Sequence, residues 1–149
     1  MILSWFRQRR RRKILARPFP PAWLPYLCAN VPYYQLLSSA EQGKLRDLVR
    51  IFVAERRFEA CGGLEMTDDV RVTIAAQACL MALGLEDGCY DRVTSILVYP
   101  HGYLARNHGP HLGGGVVLEG TSGLLGEAHY RGPVILSWDE VLADGRHPE

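Results

Sequence analysis

The stretch Thr67-Asp68-Asp69-Val70-Arg71-Val72-Thr73-Ile74-Ala75-Ala76-Gln77-Ala78-Cys79-Leu80-Met81-Ala82-Leu83 decides how the rest of the chain is read. Thr67 or Asp68 can accept a hydrogen bond from an orphan backbone N–H, and Asp68 and Asp69 suit the positive end of a helix. From Val70 to Leu83 the residues are apolar on nearly every side, which predicts a helix buried in the middle of a domain, with Gly84 as its stop. Ala75, Ala76 and Ala78 let neighbouring elements approach closely. The run Val72 to Leu83 is shorter than the ~20 residues of a membrane span and is interrupted by Thr73 and Gln77.

Upstream, Ser39 with Gln42 and the overlapping Ser38 with Glu41 both have the form of a capping box. Leu45, Leu48, Val49, Phe52 and Val53 follow as one apolar stripe, predicting an amphipathic helix over about 39–57. Cys61-Gly62-Gly63 reads as a break between the two helices. Downstream, Ser95 to Tyr99, Val116 to Leu118 and Pro133 to Trp138 read as three short strands, the last buried on both faces. Asp139 to Leu142 reads as a helical turn. Helices followed by short strands predict an α+β fold, with N-terminal helices and a small mixed sheet.

Composition agrees with a folded chain. Of 149 residues, 48% are hydrophobic and 9% aromatic, which excludes a disordered or collagen-like chain. A chain this long can bury about 68–70% of its unfolded surface. The net charge of +1 hides an asymmetry: residues 1–40 hold seven of the 17 basic residues and no acidic one, leaving ten basic against 16 acidic in the remainder. Residues 1–17, with Arg7, Arg9, Arg10, Arg11, Arg12 and Lys13, are expected to form a disordered basic arm. Trp5, Phe6, Ile14 and Leu15 could make it a weak anchor on an anionic membrane surface that salt would abolish. Specific nucleic-acid binding is not expected, because no recognition module accompanies the arm. Residues 18–38 carry five prolines among aromatics and are expected to form an extended lead-in docked on the body.

The sequence alone assembles no catalytic or metal site. Cys28, Cys61, Cys79 and Cys89 lack the spacing of a zinc knuckle or redox dithiol, and Cys79 reads as a small buried hydrophobe. Unpaired thiols without an export signal point to a cytoplasmic protein. His101, His108 and His111 lie in a Gly- and Pro-containing loop that does not fix ligand geometry, and His129 and His147 have no partner nearby in sequence. Gly113-Gly114-Gly115 lacks the rest of a phosphate loop, Gly120-Thr121-Ser122-Gly123 lacks a nucleophile elbow, and Ser137 lacks an identifiable base.

Gly63 to Leu80, Ser39-Ala40-Glu41-Gln42, Val98-Tyr99-Pro100 and Gly132 to Val141 together resemble the Mlc titration factor A family, zinc-dependent peptidases related to the DgsA anti-repressor. The resemblance covers roughly residues 20–149. It implies a zincin-like zinc metallopeptidase with aminopeptidase activity on peptide substrates and, in enterobacterial members, binding to the glucose-regulon repressor Mlc. It further implies a His-Glu-x-x-His helix, in which two histidines hold zinc and the glutamate activates water, with another glutamate ligand beyond it.

No His-Glu-x-x-His occurs in this sequence. The expectation is therefore the N-terminal half of such an enzyme, ending before the zinc helix, with no catalytic residue and no stoichiometric zinc of its own. Such a chain should be inactive alone, and unstable for want of core partners for its central helix and last strand. Gly114, Gly115, Val116, Val117 and Leu118 are the expected substrate-lining edge, where glycine permits close backbone approach. The rival reading is a non-enzymatic module that binds a repressor or a membrane surface.

Overall fold

The computed structural model describes residues 2–83, 93–101, 117–118 and 132–146. Its order is α1 (Ile2–Ala16), α2 (Leu24–Asn30), α3 (Ser39–Glu55), β1 (Arg57–Ala60), α4 (Asp68–Ala82), β2 (Val93–Tyr99), β3 (Val117–Leu118), β4 (Gly132–Ser137) and α5 (Trp138–Arg146). Gly84, Cys89, Gly113 to Val116, Gly120 to Gly123, His108, His111, His129 and His147 lie outside the described residues.

The two central helices form where local chemistry places them. Ser38 and Glu41 make the capping box of α3: the Ser38 hydroxyl accepts from the Glu41 N–H at 3.2 Å, and the Glu41 carboxylate accepts from the Ser38 N–H at 3.0 Å. The hydrogen bond from the Ser38 backbone, then that from its side chain, holds the Glu41 carboxyl below its ordinary range. Leu45, Val49 and Phe52 are buried, with Leu48 and Val53 packed beside them. Thr67 caps α4, accepting from the Val70 N–H at 3.4 Å. Every residue of α4 from Val72 to Ala76 is buried, so this helix is enclosed rather than laid on a surface.

β1 and β2 are parallel, β2 and β4 are parallel, and β3 runs antiparallel to β4, giving the order β1-β2-β4-β3. The sheet is thus small and mixed, and the fold is α+β. Helix α4 makes the crossover between β1 and β2, which parallel neighbours require. Ile96, Val98, Val134 and Leu136 join the helices in the main core, whereas Ile135 packs with Leu97 and Tyr99 in a separate cluster. Val134, Ile135 and Leu136 are all buried, as a strand covered on both faces requires.

Three expectations change. Residues 2–16 are helical rather than disordered, because Arg11 grips Glu55 with two hydrogen bonds of 2.8 and 3.0 Å and the last turn of α1 meets the body. Residues 18–38 are not an extended lead-in but two 3₁₀ turns, Pro21–Trp23 and Pro32–Leu36, flanking α2. Pro21, Pro25 and Pro32 stand at the starts of these turns, where a missing N–H costs nothing and a fixed φ favours the helix. Leu27, Val31 and Tyr34 are buried in the main core. Finally, β1 forms at Arg57–Ala60, between the end of α3 and the Cys61-Gly62-Gly63 break, where the sequence predicts no strand. It has few apolar residues and takes its order from pairing with Ser95 to Val98 of β2.

One polar network ties α2 to α4. The buried Asn30 side-chain amide donates to Asp69 at 2.7 Å and to the Thr73 hydroxyl at 3.0 Å. Asn30→Ala should lower stability by about 1–3 kcal/mol, since the fully buried Thr73 oxygen loses its donor. Urea denaturation of the variant beside Thr73→Val and the double variant should give non-additive losses, because all three side chains share one network.

Candidate functional site

In a sheet of parallel strands, ligands favour the carboxyl ends of the strands. Here those ends are Ala60-Cys61-Gly62 after β1, Tyr99-Pro100-His101 after β2 and Ser137-Trp138-Asp139 after β4. They form one rim. The Cys61 N–H donates to the Val98 carbonyl at 2.8 Å, extending the β1–β2 pairing past the strand end. Gly62 adopts φ +62° and leaves no room for a side chain, since an added Cβ would stand 3.2 Å from both the Tyr99 ring and Pro100.

Asp139 sits between a hydroxyl and an imidazole. The Ser137 hydroxyl donates to Asp139 Oδ1, the Glu140 N–H donates to the same oxygen at 2.8 Å, and His101 Nδ1 lies 3.5 Å from Oδ2. Partial burial works against the charged carboxylate, but the hydrogen bonds from Ser137, His101 and Glu140 outweigh it and hold its pKa below the ordinary aspartate range. Asp139→Asn should therefore cost stability above the unfolded aspartate pKa. That cost should vanish as pH falls through the lower folded pKa, because the stabilising carboxylate is then protonated in the parent too. Thermal melts of parent and variant across acid pH should converge.

The order of these groups limits their chemistry. A nucleophilic serine needs a base at its hydroxyl, with a carboxylate behind that base. Here the carboxylate occupies the middle position, so it braces the start of α5 and orients His101 instead of relaying a proton from Ser137. Ser137 is buried, as a structural strand-end serine would be. Among the described residues, no three His, Cys, Asp or Glu side chains come together into a group that could hold a metal ion.

The expected site residues are distributed unevenly. Val117 and Leu118 form β3, an edge strand among those described, while Gly114, Gly115 and Val116 lie outside the described residues. The basic residues Arg7, Arg9, Arg10, Arg11, Arg12 and Lys13 all fall on α1, far along the chain from the rim. The His101–Asp139 pair is absent from the sequence reading. The two residues are distant in sequence, and only parallel pairing of β2 with β4 makes them neighbours. Elsewhere, a groove of about 540 Å³ is bordered by Arg17, Phe19, Lys44, Arg46 and Arg50. Two of its arginines are engaged: Arg46 donates to the Tyr34 hydroxyl, and Arg50 to Asp47 and the Arg17 carbonyl.

A family model described as glucose-regulated metallo-peptidase M90 matches residues 5–149. An uncharacterized protein of Synechocystis sp. is 36% identical over 144 residues, covering 95% of this chain and 50% of that protein. Mlc titration factor A of Klebsiella pneumoniae subsp. pneumoniae is 30% identical over 119 residues, covering 74% of this chain and 42% of that protein. The protein of the same name in Pectobacterium atrosepticum is 30% identical over 112 residues, covering 75% and 42%. The chain thus spans about half the length of the curated relatives it matches. The resemblance carried by the α4 run and the Ser137-Trp138-Asp139 segment leads to the same relatives. On a match that takes in nearly every residue, this chain belongs to the glucose-regulated metallo-peptidase M90 family.

Proposed function

We propose that residues 1–149 supply the scaffold of a cytoplasmic zinc-dependent aminopeptidase and contain none of its catalytic or metal-binding residues. The observation that carries this reading is the family match over residues 5–149, in a chain that has no His-Glu-x-x-His. In this reading the zinc ligands and the water-activating glutamate come from outside these residues. β3, with Gly114, Gly115 and Val116 before it, lines the path of an extended peptide. The edge position of β3 among the described strands supports that role, since an edge offers backbone groups for a peptide to pair with. The relatives' name, Mlc titration factor A, supports a second partner for the same protein, a repressor of the Mlc type.

The test is chelator-sensitive hydrolysis of short peptides, comparing the product of the whole reading frame with the 149-residue chain. Activity confined to a product with a His-Glu-x-x-His beyond Glu149 supports the reading. Zinc-dependent cleavage by the 149-residue chain overturns it, as does a whole product that lacks the motif and cleaves nothing. In that last case, capture of an Mlc-type repressor would favour a non-enzymatic regulator.

A further inference from the structure

Helix α1 is braced on the body through Arg11 and exposed to solvent along residues 2–10. Arg11, Ile14 and Leu15 are its partly buried positions, and residues 2–10 are all exposed. At about 100° per residue, Ile2, Trp5, Phe6, Arg9 and Lys13 lie on the side opposite those three. The apolar residues there are large and open to solvent: Ile2 is 73% exposed, Trp5 54% and Phe6 53%, with Leu3 beside them at 81%. The Trp5 and Phe6 rings stack edge to face with centroids 5.0 Å apart, and the Arg9 guanidinium lies 5.4 Å from the Trp5 ring centroid. Exposed apolar side chains clustered this tightly mark an interaction surface.

The charge on the same helix selects the partner. α1 has no acidic residue, and its cations recur at helical spacing, so they repel one another along its faces. A short helix this exposed along its first nine residues gains from a partner that supplies negative charge and accepts aromatic side chains together. An anionic lipid bilayer does both: Trp and Phe settle at the headgroup boundary while Arg and Lys meet the lipid phosphates. Nucleic acid would answer the charge but leave Ile2 and Leu3 in water. Among the described residues no helix is long and apolar enough to cross a membrane, so the contact is peripheral. We infer that α1 docks this protein on anionic membrane surfaces, with Trp5 and Phe6 as interfacial anchors, Arg9, Arg10, Arg12 and Lys13 as phosphate contacts, and Arg11–Glu55 as the brace to the body.

The test is co-sedimentation of the full chain with phosphatidylcholine vesicles, with and without phosphatidylglycerol, at low and high salt. Two multiple variants accompany the parent: Trp5→Ser with Phe6→Ser, and Arg9, Arg10, Arg12 and Lys13 each changed to Gln. Binding should require phosphatidylglycerol, weaken at least about tenfold from low to high salt, and fall by about tenfold or more in either variant. All these positions are exposed, so the thermal transition by circular dichroism should match the parent's. Absence of vesicle binding overturns the inference, as does equal binding to neutral vesicles. It is also overturned if a duplex or single-stranded oligonucleotide binds more tightly than the vesicles and is indifferent to loss of Trp5 and Phe6.

Discussion

Leu27→Ala should destabilise the fold by about 2–5 kcal/mol, the loss typical of a fully enclosed leucine. Leu27 lies in the proline-rich segment, yet it has no exposed surface and sits among Val31, Tyr34 and the α4 core. Truncating it removes apolar contacts and leaves a cavity that α2, pinned by Pro25 and by the Asn30 network, cannot close. Leu36, in the same segment, is 77% exposed, and Leu36→Ala should change stability by no more than about 0.5 kcal/mol. Denaturation midpoints of the two variants give the contrast directly. Similar small effects for both would mean that the segment is a loose tether and not part of the core.

Gly62→Val should cost roughly 2–4 kcal/mol and disturb the rim at the ends of β1 and β2. Two penalties act at once. Gly62 has φ +62°, a conformation that costs an L-residue about 1–2 kcal/mol, and more when it is β-branched. An added Cβ would also stand 3.2 Å from both the Tyr99 ring and Pro100, forcing one or the other to move. Gly63 separates the two effects. Its φ is +87°, but nothing lies within 4 Å of an added Cβ, so Gly63→Ala should show the backbone cost alone, about 1 kcal/mol. Stability of the pair by denaturant titration checks this ordering. Equal losses at both positions would remove the case for a close approach between the β1 turn and Tyr99-Pro100.

The parts of the fold legible in the sequence are those whose cause is local. Ser38 and Glu41 announce α3 because both partners of the capping box lie within four residues, and the Leu45, Val49 and Phe52 spacing names its buried face. The all-round apolar character of α4 declares its burial without any knowledge of its neighbours. β4 is visible because Val134, Ile135 and Leu136 need cover on both faces. The same local reading fails at β1, where Phe58 is the one large apolar residue in four, and its order comes from a strand more than thirty residues away. It also fails at the prolines of residues 18–38. A proline is compatible with an extended segment and with the first turn of a helix, and only packing of Leu27 and Tyr34 chooses between them.

By itself, then, the sequence determines two capped helices, a mixed α+β composition, the charge asymmetry of residues 1–40, the absence of a His-Glu-x-x-His and the family to which these residues point. Each follows from side chains a few positions apart or from a motif read directly. Tertiary structure alone decides that the basic segment is a helix braced on Glu55, that Asp139 meets His101, and that three parallel strand ends make one rim. These depend on contacts between distant residues, such as Arg11 with Glu55, and no local periodicity encodes which distant partner a charge or a strand edge will find.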